Sequence, residues 1–171
     1  MPTIRRPIRT AEGRQPRHGR GFTLIEMVVV VMIVAILASA AMPLSALHKR
    51  RTQEAELRQS LRMIRSALDA YKQAWDAGKI EKKVDESGYP PNLNVLVTGV
   101  KDVSNPKGMR LYFLRRLPRD PFADPLLPAA LTWGVRSYDS PPESPAAGAD
   151  VFDVYSRASG LGLDGTPYQQ W

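Results

Sequence analysis

Cysteine is absent from the 171 residues. No disulfide can staple this fold, and thiolate zinc sites and cysteine nucleophiles are excluded. Histidine is nearly missing too: His18 and His48 are the two, and neither is placed to form a triad with a serine. There is no His-Glu-x-x-His pair. Gly160-Leu161-Gly162 is not followed by a helical pattern, so no glycine-rich phosphate loop is present. Asp120 and Asp124 flank a proline-rich turn and read as solvated turn-formers. Catalysis finds no foothold here, and a chain that is not an enzyme is expected.

An excess of acid is also lacking. The formal net charge is +7, with 24 basic and 17 acidic side chains. Arg5, Arg6, Arg9, Arg14, Arg17 and Arg20 lie within the first 21 residues against one acid, Glu12. The remaining residues hold 18 basic and 16 acidic groups. The basic character therefore belongs mostly to a leader without hydrophobic period, which reads as a disposable tail. Arg110, Arg115, Arg116 and Arg119 could seed a nucleic-acid surface. Asp120, Asp124, Asp139, Glu143, Asp150 and Asp153 dilute them, so no nucleic-acid partner is expected.

Phe22 to Met42 is a run of 21 residues whose one charged side chain is Glu26. As a helix it would extend about 30 Å, the thickness of a hydrocarbon core. More arginines precede it than basic residues (Lys49, Arg50, Arg51) follow it, which puts the N-terminus in the cytoplasm. Beyond the run, Leu57, Leu61, Ile64, Leu68, Tyr71 and Trp75 recur at steps of four and three, one apolar stripe of a continuing helix. The expectation is a helix from about Phe22 to Asp76, bent at Pro43 where a backbone hydrogen bond is lost, with Gly78 as its stop.

From Lys79 loop-formers dominate. Tyr89-Pro90-Pro91-Asn92 is a turn, and Leu93 to Val97 a short helix or turn. Leu111 to Leu117 could be strand or helical turn. Pro118, Pro121, Pro125 and Pro128 exclude regular structure around them. Leu131 to Tyr138 and Val151 to Tyr155 read as strands, and Thr166 to Trp171 as a short third one. The fold class expected is α+β: a long N-terminal helix packed by its stripe against a small antiparallel sheet.

Arg20-Gly21-Phe22-Thr23-Leu24-Ile25-Glu26, followed by the apolar run, resembles the signal of type IV pilins and pseudopilins. The resemblance implies a pilin-like fold, cleavage by a prepilin peptidase between Gly21 and Phe22, N-methylation of Phe22, and an assembly role for Glu26. Tyr89-Pro90, Leu117-Pro118-Arg119-Asp120-Pro121-Phe122, Phe152-Asp153-Val154-Tyr155-Ser156, Leu163-Asp164-Gly165-Thr166 and Trp171 follow in that order. That series is similar to the major pseudopilins of type II secretion systems, with Phe122 where the family has tryptophan. It implies a calcium ligand at Asp164. The family's loop is longer, however, and normally carries another aspartate, which this chain lacks.

The implied organisation is a cleaved leader at 1–21, a transmembrane and assembly segment at 22–43, a periplasmic helical half at 44–78 and a globular region at 79–171. The implied protein is a single-pass inner-membrane subunit with a periplasmic C-terminal domain. Its partners would be copies of itself, other pseudopilins, the prepilin peptidase, an inner-membrane assembly platform and lipid. The rival reading is a type IV or minor pilin for adhesion, motility or DNA uptake. Many of those carry a C-terminal disulfide, which this sequence cannot form.

Overall fold

The structure, a computed structural model, describes residues 22–171 apart from residue 107, with the side chains of 40–44 left aside. The leader and Gly21 of the expected cleavage site lie outside the described residues, and the bend expected at Pro43 falls at the boundary between two units. The chain divides into two units, residues 1–43 and 44–171.

Helix α1 runs Leu24–Asp76. In the first unit every described side chain of it is exposed, including Leu24 (82%), Val31 and Leu37. In the second unit the stripe does what its spacing predicts. Leu57, Leu61, Ile64, Leu68 and Tyr71 are buried and Trp75 is half-buried. The helix ends by lifting Gly78 into the left-handed region, φ +72, a conformation that glycine adopts without steric cost.

Against that stripe lie α2 (Val95–Thr98), β1 (Val100–Lys101), β2 (Arg110–Leu111), β3 (Trp133–Arg136) and β4 (Asp153–Ser156). Strands β1 and β2 form one antiparallel pair, β3 and β4 another. The register of the second sets Trp133 opposite Ser156 and Gly134 opposite Tyr155. Trp133, Val154, Leu93, Leu96 and Tyr168 complete the core. The expected α+β architecture is present, and both later strands exist in shortened form. One expectation fails. Thr166 to Trp171 is not a strand: Leu161 and Pro167 make an isolated bridge, and Tyr168–Gln170 is a 3-10 turn. Tyr168 is turned into the core there, and that burial outweighs the segment's β propensity.

Candidate functional site

The described residues hold two places where side chains are arranged for more than packing. The first is the start of α1. Thr23 caps it: its Oγ1 accepts the Glu26 N–H at 3.3 Å, and its carbonyl accepts the Met27 N–H at 3.2 Å. Thr-x-x-Glu is the sequence of a capping box, a signal that the hydropathy reading passed over. It places the Glu26 carboxylate in the first turn, where the helix dipole favours an anion. Phe22 precedes the cap and is 73% exposed. Apart from Thr23, Glu26 and Ser39, the exposed side chains of 22–39 are apolar, a surface far larger than a soluble monomer leaves uncovered. Among the described residues, however, no helix is long and apolar enough to cross a membrane. The apolar run described with side chains stops at Ser39, and in the sequence it continues to Met42.

The second place is the C-terminal loop, pinned to one face of α1. Arg50, Glu54 and Arg58 stand one turn apart, and Arg65 follows two turns on. The Arg50 guanidinium donates to the Leu161 carbonyl, and to the Tyr168 hydroxyl at 3.3 Å. Glu54 is buried, and its Oε1 accepts the Leu163 N–H at 2.8 Å and the Tyr168 hydroxyl at 2.9 Å. Arg58 donates to Asp164 Oδ2 at 2.7 Å and lies 4.2 Å over the Trp171 ring. Arg65 donates to Asp153 Oδ1 at 2.8 Å, and to the backbone oxygens of Trp171 (2.7 Å) and Val154 (3.1 Å). The sequence marks Arg58 and Arg65 only as lying off the apolar stripe. Their partners stand some 90 to 110 positions away, beyond the reach of local pattern.

The motifs around Asp120, Ser156, Tyr168 and Trp171 meet in the same region. Asp120, expected to be a solvated turn-former, is buried at 3% exposure. Its Oδ2 accepts the Ser156 hydroxyl at 2.5 Å and its Oδ1 the Phe122 N–H at 2.8 Å. It turns inward because those donors are themselves buried or half-buried and need an acceptor. Phe122 stacks on Tyr168 at 4.5 Å between centroids, and Trp171 meets Tyr168 edge-on at 5.1 Å. Pro118 accepts the Trp133 indole N–H at 2.9 Å. Tyr89 packs edge-on against Phe152 at 5.0 Å, and the carbonyl of buried Pro90 accepts the Val151 N–H at 2.8 Å.

Two ionisable groups in the loop are perturbed. Hydrogen bonds from the Thr166 hydroxyl and N–H hold the Asp164 carboxyl below its usual range, with Arg58 adding to the effect. Burial pushes the Tyr168 hydroxyl up, against the opposing pull of Arg50.

Asp164 is the residue at which the resemblance implies a calcium ligand. That ion gathers six to eight oxygens, commonly from several carboxylates. Here one carboxylate is offered. Its Oδ1 is occupied by Thr166 N–H (3.0 Å) and Oγ1 (2.6 Å), and its Oδ2 by Arg58. Among the described residues no group of three His, Cys, Asp or Glu could hold a metal. This donor set does not fit calcium.

Residues 16–42 match the family described as the prokaryotic N-terminal methylation motif. The chain is 33% identical over 110 residues to the type II secretion system core protein G of Dickeya chrysanthemi, covering 62% of this chain and 65% of that protein. It is 34% identical over 107 residues to the protein of the same name from Klebsiella michiganensis, covering 60% and 68%. For the Aeromonas hydrophila protein the identity is 30% over 115 residues, covering 65% and 73%. No solved structure matches the chain closely enough to support a comparison. A methylation motif at the head of an apolar helix, joined to these relatives across most of two thirds of the chain, shows that it belongs to the type II secretion system core protein G family, the major pseudopilins.

Proposed function

We propose that this chain is a structural subunit, not an enzyme, which assembles into a type II secretion pseudopilus after removal of residues 1–21. One observation carries the reading. The first unit of α1 exposes apolar side chains on every face, with a lone carboxylate in its first turn. Such a surface needs lipid or other helices of its kind to cover it. Residues 22–43 would anchor the precursor in the inner membrane, with the N-terminus in the cytoplasm and the domain from Lys79 in the periplasm. The relatives favour this reading over a pilus for adhesion or motility, since all those named above are secretion-system proteins.

Cleavage between Gly21 and Phe22 would leave an ammonium group, one helical turn from Glu26. A charge buried in lipid is tolerable when a counter-charge neutralises it. Within one subunit the two groups are i and i+4. On assembly, Glu26 of an entering subunit meets the Phe22 ammonium of its neighbour, and the cost of leaving either charge unpaired sets the axial register. The partners of the reading are therefore copies of this chain, sister pseudopilins, the prepilin peptidase and the assembly platform in the membrane.

Co-expression with a prepilin peptidase, followed by mass spectrometry of the mature N-terminus, is expected to show Phe22 as the first residue, bearing one methyl group. An uncut chain, or a mature N-terminus other than Phe22, would overturn the reading. Glu26→Gln then separates the two roles available to that side chain. Glutamine still satisfies a capping box but carries no charge. If charge pairing sets register, Glu26→Gln and Glu26→Ala are both processed normally and both fail to form filaments. Normal filaments from Glu26→Gln would reduce the residue to a helix cap.

A further inference from the structure

We propose that the guanidinium of Arg58, carried on α1, takes the structural role of a bound cation in the loop 156–171, so that the order of this loop does not depend on calcium. The inference stands on the second unit alone and is independent of the filament reading.

Oxygens of this loop that a cation could gather already have donors, three of them from arginines of α1 and others from the loop's own N–H groups. The Asp164 Oδ2 is held by Arg58 at 2.7 Å. The Leu161 carbonyl is held by Arg50, and the backbone oxygen of Trp171 by Arg65. The remaining Asp164 oxygen accepts from Thr166, whose hydroxyl in turn accepts the Trp171 indole N–H at 2.7 Å. Arg58 therefore closes a circuit: guanidinium to Asp164, Asp164 to Thr166, Thr166 to Trp171, and the Trp171 ring back beneath the guanidinium. A guanidinium suits that place. It is planar, always charged, and can donate to a carboxylate while stacking on an aromatic face.

A metal ion must be captured from solution by a loop that pays to organise six or more ligands. A cation carried on a rigid helix arrives already placed, because the stripe of Leu57 and Leu61 on either side of Arg58 is buried in the core. Gly162 marks how tightly the circuit is drawn. A Cβ there would stand 2.7 Å from Asp164 Oδ1 and would collide with the Trp171 ring.

The test uses the full-length chain in detergent micelles, with thermal unfolding followed by tryptophan fluorescence. The midpoint is expected to be the same in excess calcium chloride and in excess EGTA. Arg58→Ala is expected to lower it by about 3 °C, the size of one such contact in a domain of this length, and to open residues 160–166 to limited proteolysis. Arg58→Lys keeps the charge and should lose less. Arg62→Ala is the control, since Arg62 is exposed and makes no ion pair among the described residues, and it should change neither readout. A calcium-dependent rise in the wild-type midpoint that Asp164→Ala abolishes would overturn the proposal. So would an Arg58→Ala variant as stable and as protease-resistant as its parent. Should Arg58→Ala fail to fold, the calcium titration of the unaltered chain decides.

Discussion

Glu54 accepts two of the hydrogen bonds that hold the loop to α1. It is 6% exposed, and a buried carboxylate is costly unless its oxygens are satisfied. The Tyr168 hydroxyl supplies one of those hydrogen bonds while its ring stacks on Phe122. Tyr168→Phe keeps the ring and removes the donor, so we expect a loss of about 1 kcal/mol in urea unfolding. The pH dependence follows from the direction of each shift. The Tyr168 hydroxyl is raised in the folded state, so its contribution is complete below the ordinary tyrosine range and is lost as pH rises through the raised value. Tyr168→Phe should flatten the alkaline limb of stability against pH. Asp164 is lowered, so its contribution is present above the ordinary carboxylate range and is lost as pH falls through the lowered value. Asp164→Asn should flatten the acid limb. Neither partnership is written locally in the sequence. Asp164-Gly165-Thr166 reads as a turn, which it is, and nothing beside it points to Arg58.

At the scale of the element, α1 carries two different faces side by side. The apolar face was legible because helical periodicity is a local property: Leu57, Leu61, Ile64 and Leu68 follow one another at the spacing that burial needs. Leu61→Ala should cost about 2–5 kcal/mol, the range for emptying a filled core position, measured by urea unfolding with the slope unchanged. The polar face was legible as position but not as function. The strands β3 and β4 were placed in outline by β-forming residues, and their ends were not. A contact across strands accounts for one glycine: a Cβ on Gly134 would run into the Tyr155 ring facing it across the pair. Gly134→Ala is therefore expected to destabilise by about 1–3 kcal/mol and to broaden the near-ultraviolet circular dichroism of Tyr155 and Trp133.

At the scale of the whole molecule, apolar exposure is concentrated in one unit. The side chains described in 22–39 are all exposed, whereas the second unit has a core centred on Trp133, Leu57 and Val154, with exposed apolar residues such as Val84 and Leu126 on its surface. Residues 44–171 expressed without the preceding segment should therefore be soluble and monomeric in sedimentation, and the full-length chain should require detergent. Association of the shortened chain to the same extent as the full-length one would show that subunit contacts lie elsewhere.

The sequence by itself determined the N-terminal motif, the apolar run, the stripe of α1 and the class of the fold. Each is written in neighbouring residues, through a period or a short string, and needs no knowledge of where the chain returns. Tertiary structure decided the rest: that Asp120 is buried on Ser156, that Tyr168 leaves a strand-like segment for the core, and that Arg58 meets Asp164. These are pairings between distant positions, and a polar side chain shows no sign in sequence of which distant donor or acceptor will make its burial affordable in water's absence.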